Sequence, residues 1–346
     1  MTTIFHLPGL LIVLAACSLS GGKQGGAEQA DTSQTQPETA PRGFMNPVFN
    51  KDFPDPNLIK APDGYFYAYS TQANWGEGLL VMPILRSKDL VNWEKVGAAL
   101  EKKPDWKEKG GIWAPDAVYY KGLYRLYYSF STWGDPNPGI GLAVSEQPQG
   151  PFRDLGKLFY SKDVGVDNSI DAFFIEDEGK PYLFWGSFHG IYGIELSEDG
   201  TKIKGEKFRI AGDAYEGTYI LKKGGHYYFF GSTGTCCEGA SSTYRVKVAR
   251  AASLKGPYVD REGNALLENG GTLILEGNEA FAGPGHNGDI FTDDRGQDWM
   301  LYHAYDRKDP GKGRVMLLDK INWKDGWPAM AGKQPMLEEQ EVPAFN

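Results

Sequence analysis

The chain has 346 residues, of which 41% are hydrophobic and 23% charged, and its formal net charge is −9. This balance excludes a chain that is disordered throughout, and the acidic excess leaves no basic surface for a phosphate backbone, so no nucleic-acid partner is expected. Aromatic residues make up 13% of the chain and 45 glycines separate them, which is a mixture of strand formers and turn formers that favours an all-β fold.

The N-terminal segment has the pattern of an export signal. Residues 7–16 form an apolar run that is too short to span a bilayer and about right for the core of a signal peptide. The run ends in Leu14-Ala-Ala-Cys, which resembles the lipobox of bacterial lipoproteins, although residues 1–6 contain no Lys or Arg. We predict a signal peptide over 1–17 and a lipid anchor at Cys17 in the cell envelope, with plain secretion or a periplasmic location as alternatives.

The segment that follows is predicted to be a tether. Residues 18–43 are rich in Gly, Ser, Gln, Thr, Glu and Pro and contain almost no large apolar side chain, so burial cannot offset the entropy of ordering them. The folded domain is therefore predicted over 44–346. Its contact with a membrane is expected only through the anchor, and no amphipathic helix suggests a protein partner, so a monomer is expected.

Five segments of this domain repeat one pattern. Each opens with a polar or acidic residue, continues as an apolar strand, turns at a glycine and returns as an aromatic-rich strand that ends in small residues. The opening residues are Asp55, Asp116, Asp171, Glu216 and Asp289. Each segment is a predicted hairpin, and their spacing suits blades of four strands, so we predict a five-bladed β-propeller. A β-sandwich is the alternative, but only a propeller explains polar openings, because its innermost strands begin around one axis.

Convergence on that axis would make neighbours of three acidic residues that lie far apart in the chain, Asp55, Asp171 and Glu216. Hydrolysis of a glycoside by inversion needs one ionised carboxylate to activate water and one protonated carboxylic acid to release the leaving oxygen. A third carboxylate nearby can raise the pKa of the acid, because like charges disfavour ionisation. Acidic residues at strand ends also cap turns or face water, so the spacing alone leaves both interpretations open.

Five motifs make the interpretation specific. They are Phe53-Pro-Asp-Pro-Asn, Ile112-Trp-Ala-Pro-Asp, Asn168-Ser-Ile-Asp, Tyr215-Glu-Gly-Thr-Tyr and Gly283-Pro-Gly-His-Asn. In this order they resemble glycoside hydrolase family 43, over residues 46–328. The resemblance implies a five-bladed propeller of inverting hydrolases that act on arabinan, xylan and related side chains. It also implies that Asp55 is the general base, Glu216 the general acid and Asp171 the residue that orients and tunes the acid.

The substrate prediction depends on further motifs. Gly231-Ser-Thr-Gly-Thr-Cys-Cys-Glu-Gly, Gly256-Pro-Tyr-Val-Asp and Gly270-Gly-Thr-Leu are similar to those of endo-acting α-1,5-arabinanases within the family. The opening Asp52-Phe-Pro-Asp-Pro is closer to exo-acting members, so an exo-α-L-arabinofuranosidase or β-xylosidase is an alternative. Two more distant alternatives are a non-catalytic sugar-binding propeller and a retaining enzyme like the related fructan hydrolases.

Five residues are predicted to bind substrate or metal. Trp113 offers an aromatic face for a pentose, Asn168 and Arg314 are candidates for substrate contacts, and Asp116 is predicted either to line the pocket or to fix its blade. The resemblance makes His286 the candidate ligand of a metal in the axial channel, with calcium expected and no organic cofactor. Calcium prefers oxygen ligands, so water is expected to complete its coordination.

The remaining histidines and cysteines give weaker signals. His189, His226 and His303 lie in or beside apolar strands and are predicted to be structural. Cys236 and Cys237 are adjacent, which fits neither a CxxC metal site nor a distant disulfide pair. A vicinal disulfide and two small buried side chains are equally compatible with the sequence.

Overall fold

The fold is known from a computed structural model that describes residues 43–345. The signal peptide over 1–17, its Cys17 and residues 18–42 of the predicted tether lie outside the described residues. Gly43, which the prediction assigns to the tether, is already part of a strand. Among the described residues, no helix has the length and apolar character needed to cross a membrane.

The described chain is built almost entirely from β-strands, as its composition predicts. A short strand pair joins the two ends of the domain, with β1 at Gly43–Phe44 and β24 at Gln340–Glu341. Blade 1 contains β2 (Asn57–Lys60), β3 (Phe66–Tyr69), β4 (Ala73–Asn74), β5 (Leu79–Ser87) and β6 (Glu94–Leu100). Blade 2 contains β7 (Gly111–Tyr120), β8 (Leu123–Ser131), β9 (Gly139–Ser145) and β10 (Arg153–Tyr160).

The other three blades follow in chain order. Blade 3 comes after helix α1 (Ser161–Val164) and contains β11 (Phe173–Asp177), β12 (Lys180–Trp185), β13 (Ile191–Leu196) and β14 (Ile203–Ala211). Blade 4 contains β15 (Glu216–Lys223), β16 (His226–Thr233), β17 (Arg245–Ala251) and β18 (Thr272–Leu275), with 3-10 turns at Gly239–Ser241 and Leu266–Glu268. Blade 5 contains β19 (Phe281–Gly285), β20 (Ile290–Thr292), β21 (Asp298–Asp306), β22 (Arg314–Lys324) and β23 (Trp327–Ala329), with 3-10 turns at Pro310–Lys312 and Ala331–Lys333.

The sheet order confirms a five-bladed β-propeller and rules out the sandwich. Blades 2, 3 and 4 are antiparallel meanders in which each strand pairs with the next along the chain. Blade 5 runs β19-β21-β22-β23, with β20 also paired to β21, and blade 1 runs β2-β3-β5, with β4 and β6 both paired to β5. First strands of successive blades contact one another, as β2 does with β7, β7 with β11 and β11 with β15, so they form the innermost ring.

The hydrophobic core lies between neighbouring blades. One buried cluster joins blades 1 and 2, another joins blades 2 and 3, and a third extends through blades 3, 4 and 5. A fourth closes the ring, because Phe44 near the N-terminus and Phe53 pack with Trp299 and Leu301 of blade 5. Trp185 and Trp299 are fully buried, and truncating a buried tryptophan typically lowers the free energy of unfolding by about 3–5 kcal/mol. These contacts hold the inner strands, and so the site at their ends, in fixed positions.

Candidate active site

A cavity of about 680 Å³ opens where the inner strands begin, and all five blades contribute to its lining. The predicted site residues that line it are Asp55, Trp113, Asn168, Asp171, Glu216, His286 and Arg314. The three carboxylates are each less than one-tenth exposed, at 8% for Asp55, 6% for Asp171 and 7% for Glu216. The structure therefore brings together every predicted site residue except Asp116.

One backbone arrangement recurs where the chain enters the inner strands. Asp55, Asp171 and His286 have φ values of 55°, 59° and 42°, a left-handed conformation that is unfavourable for residues other than glycine. Each donates its backbone N–H to a side chain on the strand that pairs with the inner strand of the preceding blade. The acceptors are His303 Nδ1 for Asp55, Ser129 Oγ for Asp171 and Ser232 Oγ for His286, each at 2.9 Å.

This arrangement explains the small polar residues at the ends of the repeated hairpins. Ser129 and Ser232 are buried acceptors that fix the turn bearing the next functional side chain. His303 takes this place in blade 5, and its fully buried ring lies 3.3 Å from Asp55 Oδ1. His303, predicted to be structural, therefore also contacts the candidate base directly, and this contact is not predicted from the sequence.

Asp55 lies among positively polarised groups. Arg314 Nη1 donates to its Oδ1 at 3.1 Å, the Thr71 hydroxyl donates to its Oδ2 at 2.6 Å, and His286 Nδ1 lies 3.2 Å from Oδ1. Burial alone would raise the pKa of Asp55, but Arg314 and His286 hold it well below its usual range. The carboxylate therefore stays ionised at neutral pH, as a general base must.

Replacing Arg314 by glutamine is expected to move the acid limb of the kcat/KM pH profile upward by about one to three pH units. Without the guanidinium the pKa of Asp55 rises, so the base takes up its proton at a higher pH and activity is lost earlier on acidification. Profiles of Arg314→Gln and Lys312→Gln measure this, since Lys312 is a nearby cation that contacts Asn50 rather than Asp55. An acid limb that stays in place in Arg314→Gln would contradict the pairing.

In contrast to Asp55, Glu216 and Asp171 have pKa values above the ordinary range of carboxyl groups. Burial is the main cause that raises the pKa of Asp171, and the negative charges of Glu216 and Asp55 add to it. The attraction of His286 opposes this rise, and the resulting pKa is about 7. Burial also raises the pKa of Glu216, and the neighbouring Asp55 adds to this while the nearby hydroxyls of Ser187 and Tyr244 oppose it. The pair thus retains a proton near neutral pH, which is the property of a general acid and its partner.

Glu216 is positioned by its place at the start of β15 and by close contacts from neighbouring blades. It begins β15 opposite Ser232 of β16, and a register shift follows before Tyr219. Gly217 has φ of 60°, and a Cβ atom there would lie 3.0 Å from Cγ of His286, so the close approach of these two blades requires glycine. The Ser187 hydroxyl donates to Oε2 of Glu216 at 2.6 Å.

The other predicted contacts have different roles. The Asn168 amide donates to the Ser187 carbonyl and hydroxyl oxygens at 3.2 and 2.9 Å, so it supports the residue that contacts Glu216. Trp113 is half-buried beside Trp133, with ring centroids 5.9 Å apart, and Trp133 is 78% exposed. Trp133 belongs to the loop between β8 and β9, where Lys107 Nζ pairs with Asp135 Oδ2 at 2.9 Å. The aromatic pair that Trp113 and Trp133 form is not predicted from the sequence.

Asp116 is not among the residues that line the cavity, and its contacts favour the second of the two roles that the sequence leaves open, that of fixing its blade. Its Oδ1 accepts from Asn57 Nδ2 at 3.0 Å and its Oδ2 from the Phe174 backbone N–H at 2.7 Å, so it links blades 1, 2 and 3. Asn57 in turn accepts from the Ala117 N–H at 2.7 Å. These contacts make Asp116 a buried link between inner strands.

Asp116→Ala is expected to lower the free energy of unfolding by about 2–4 kcal/mol, because two buried donors lose their acceptor. Chemical denaturation measures the change. The matched control is Glu198→Ala, which removes a carboxylate whose side chain is 87% exposed and pairs with Lys121, so its effect on stability is expected to be much smaller than that of Asp116→Ala. Unchanged stability together with weakened substrate binding in Asp116→Ala would contradict the structural role.

The donor set around His286 does not form a calcium cage. Its Nδ1 faces Asp55, and although burial opposes a positive charge, Asp55, Asp171 and Glu216 raise the pKa of His286 to about 9. A metal needs the neutral ring, and calcium takes about six to eight oxygen ligands. Within residues 43–345 no group of three or more His, Cys, Asp or Glu side chains is arranged to hold a metal ion. Calcium stays a prediction that thermal melting after chelation would test.

Comparison with known proteins decides the family. The family model for glycosyl hydrolases family 43 matches residues 44–328. The chain belongs to this family. The extracellular endo-α-(1→5)-L-arabinanase 1 of Bacillus subtilis is 34% identical over 86% of this chain and 92% of its own length. The extracellular exo-α-(1→5)-L-arabinofuranosidase ArbA of Cellvibrio japonicus is 32% identical over 82% of this chain and 87% of its own.

The fold comparison agrees with the family. The structure of the Cellvibrio cellulosa α-L-arabinanase in complex with arabinohexaose superposes with a TM-score of 0.73 at 31% identity, over 82% of this chain and 96% of that one. The family-43 resemblance and the hydrolysis of glycosidic bonds that it implies are thereby confirmed. The roles of the individual residues remain predictions that the geometry above supports.

Proposed function

We propose that this chain is an inverting endo-hydrolase of α-1,5-linked L-arabinan. The observation that carries the proposal is that two buried carboxyl groups of one cavity have pKa values shifted in opposite directions, lowered for Asp55 by Arg314 and His286 and raised for Glu216 by burial. Inverting hydrolysis needs this pair. The arabinan specificity is supported by the relatives, which include an endo-arabinanase over nearly the whole folded chain.

In the proposed mechanism, Asp55 accepts a proton from a water molecule as the water oxygen attacks the anomeric carbon. Glu216 gives its proton to the glycosidic oxygen as the bond between this oxygen and the anomeric carbon breaks. Asp171 orients and tunes Glu216. Arg314 and His286 keep Asp55 ionised until it takes the proton of the attacking water, and exchange of protons with solvent restores both carboxyl groups.

The substrate chain is proposed to lie across the cavity between aromatic and polar walls. Trp113 offers its ring to the apolar face of a pentose, and the exposed Trp133 beside it extends this aromatic surface. Pockets for small ligands and sugars are typically apolar, with a few polar groups that fix orientation. An exo-acting arabinofuranosidase is the second candidate, because ArbA of Cellvibrio japonicus is almost as similar to this chain as the endo enzyme.

Incubation with linear arabinan, branched arabinan and arabinoxylan tests the proposal, with viscosity and product sizes followed over time. We expect an early fall in viscosity of linear arabinan and a ladder of arabino-oligosaccharides. Release of free arabinose alone would favour the exo-acting alternative, and release of xylose would favour the β-xylosidase. Binding without any product would favour the sugar-binding propeller and overturn the proposal.

We also propose export with lipid attachment at Cys17. Both relatives described above are extracellular proteins, which supports export, and the Leu14-Ala-Ala-Cys motif supports the anchor. An exposed catalytic domain on a tether suits a polymer too large to enter the cell. Cell fractionation tests this, because Cys17→Ser is expected to leave the membrane fraction, while an unchanged distribution would contradict the anchor.

A further inference from the structure

The cavity wall beside Glu216 contains a covalent bond between adjacent residues. Cys236 and Cys237 form a disulfide in the loop over residues 234–244, which joins β16 to β17. Both side chains are half-buried and line the catalytic cavity together with Glu216 and Tyr244. The sequence leaves this bond open as one of two possibilities, and neither the catalytic carboxylates nor the core uses it.

The loop is held in place at several points. The Thr235 N–H donates to Thr243 Oγ1 at 3.1 Å across its base, and the Glu238 N–H donates to Ser242 Oγ at 2.9 Å within it. From blade 5, Arg307 Nη1 donates to the Ala240 carbonyl oxygen at 2.6 Å. The loop begins directly after the strand that pairs with the strand of Glu216, so the disulfide and the candidate acid are fixed relative to each other.

The position of this wall indicates which sugar it meets. Glu216, as the proton donor, marks the side of the cavity where the leaving sugar lies, while Trp113 and Trp133 belong to blade 2. A disulfide offers polarisable sulfur atoms and no hydrogen-bond donor, so it suits an apolar surface more than a hydroxyl. The small ring closed by the two side chains and the peptide between them also limits how far either sulfur can move.

We propose that the Cys236–Cys237 disulfide forms the apolar wall of the subsite that binds the leaving-group sugar and contacts the C–H face of its pentose ring. The inference rests on the proposed function, because the assignment of Glu216 as the acid defines the leaving-group side. In this role the disulfide determines the affinity for the substrate and not the rate of bond cleavage. Breaking it should therefore change KM more than kcat.

Reduction of the bond tests this in the full chain. A dithiol such as dithiothreitol transfers two electrons and two protons to the disulfide, which becomes two thiols while the dithiol becomes a cyclic disulfide. The freed side chains then rotate and the wall is lost. We expect KM for arabinohexaose to rise roughly tenfold, as for other losses of apolar contact in a sugar or side-chain pocket, with kcat changed by less than about twofold.

The matched variant is C236S/C237S, which lacks the bond but keeps Cys17. Its KM is expected to equal that of the reduced parent and to stay the same when the reductant is added. Thiol titration of the parent shows that its bond has opened. An unchanged KM after confirmed reduction would overturn the proposal. A fall in both kcat and melting temperature without a change in KM would overturn it as well. Absence of any hydrolysis by the untreated parent would instead contradict the proposed function.

Discussion

Glu216→Gln is expected to lower kcat on linear arabinan by about 10²- to 10⁴-fold, which is the usual contribution of a general acid. Glutamine keeps the size of the side chain and can still accept the hydrogen bond from Ser187, but it has no acidic proton to give to the leaving oxygen. KM should change little, because the substrate contacts remain. Steady-state kinetics on linear arabino-oligosaccharides measures both constants.

Two controls separate lost proton donation from lost structure. An arabinotrioside with a good aryl leaving group needs little protonation, so Glu216→Gln should lose much less activity on it. In the parent, the alkaline limb of the kcat/KM profile should lie above pH 4.5, the ordinary value for glutamate, because the folded protein raises the pKa of Glu216 and activity falls only when that proton is lost. Equal losses on both substrates, with an unchanged alkaline limb, would remove Glu216 from the role of acid.

Asp55→Asn is the second substitution with a large expected effect, again about 10²- to 10⁴-fold on kcat. Asparagine can still accept the hydrogen bond from Arg314 at its one carbonyl oxygen, but its amide cannot take a proton from the attacking water. A better leaving group does not restore the nucleophile, so the loss should persist on the aryl arabinotrioside. The two variants are therefore expected to differ in their response to the leaving group.

Asp116→Asn is the matched control for Asp55→Asn, because each substitution removes one buried carboxylate and the two residues belong to neighbouring blades. Only Asp55 lines the cavity, so the Asp116 variant should keep kcat within a few-fold once it is folded. Similar losses in both variants at equal stability would show that the effect of Asp55 is structural. Circular dichroism and thermal melting establish that each variant is folded.

The repeat pattern predicts most of this architecture, because it is a property of local sequence. Each hairpin must alternate strand formers with a glycine turn, and all five copies retain that pattern, so the blades and their order can be inferred without coordinates. Asp55, Asp171 and Glu216 follow from the same pattern, since residues at the beginnings of inner strands must meet at the axis. The motifs that resemble the family assign their chemistry.

The supporting contacts could not be inferred in this way. Thr71, Ser187 and His303 contact the carboxylates of Asp55 and Glu216. Thr71 follows the second strand of Asp55's own hairpin, Ser187 and His303 belong to other repeats than the carboxylates they contact, and nothing in the local sequence distinguishes the three from ordinary buried residues. Asp116 opens a hairpin like the catalytic residues, yet its carboxylate meets Asn57 and the Phe174 N–H. Whether a side chain faces the cavity or a neighbouring strand depends on the register shift between Trp113 and Asp116, which the periodicity does not encode.

The most direct test of the account is proton NMR of the anomer that first forms when arabino-oligosaccharides are hydrolysed. Direct attack by water activated by Asp55 should convert the α linkage into a β-configured reducing end, which then equilibrates slowly with the α form. A β anomer at the earliest times is the result expected here. An α anomer formed first would require a covalent intermediate and would contradict the assignment of Asp55 as a general base that acts through water.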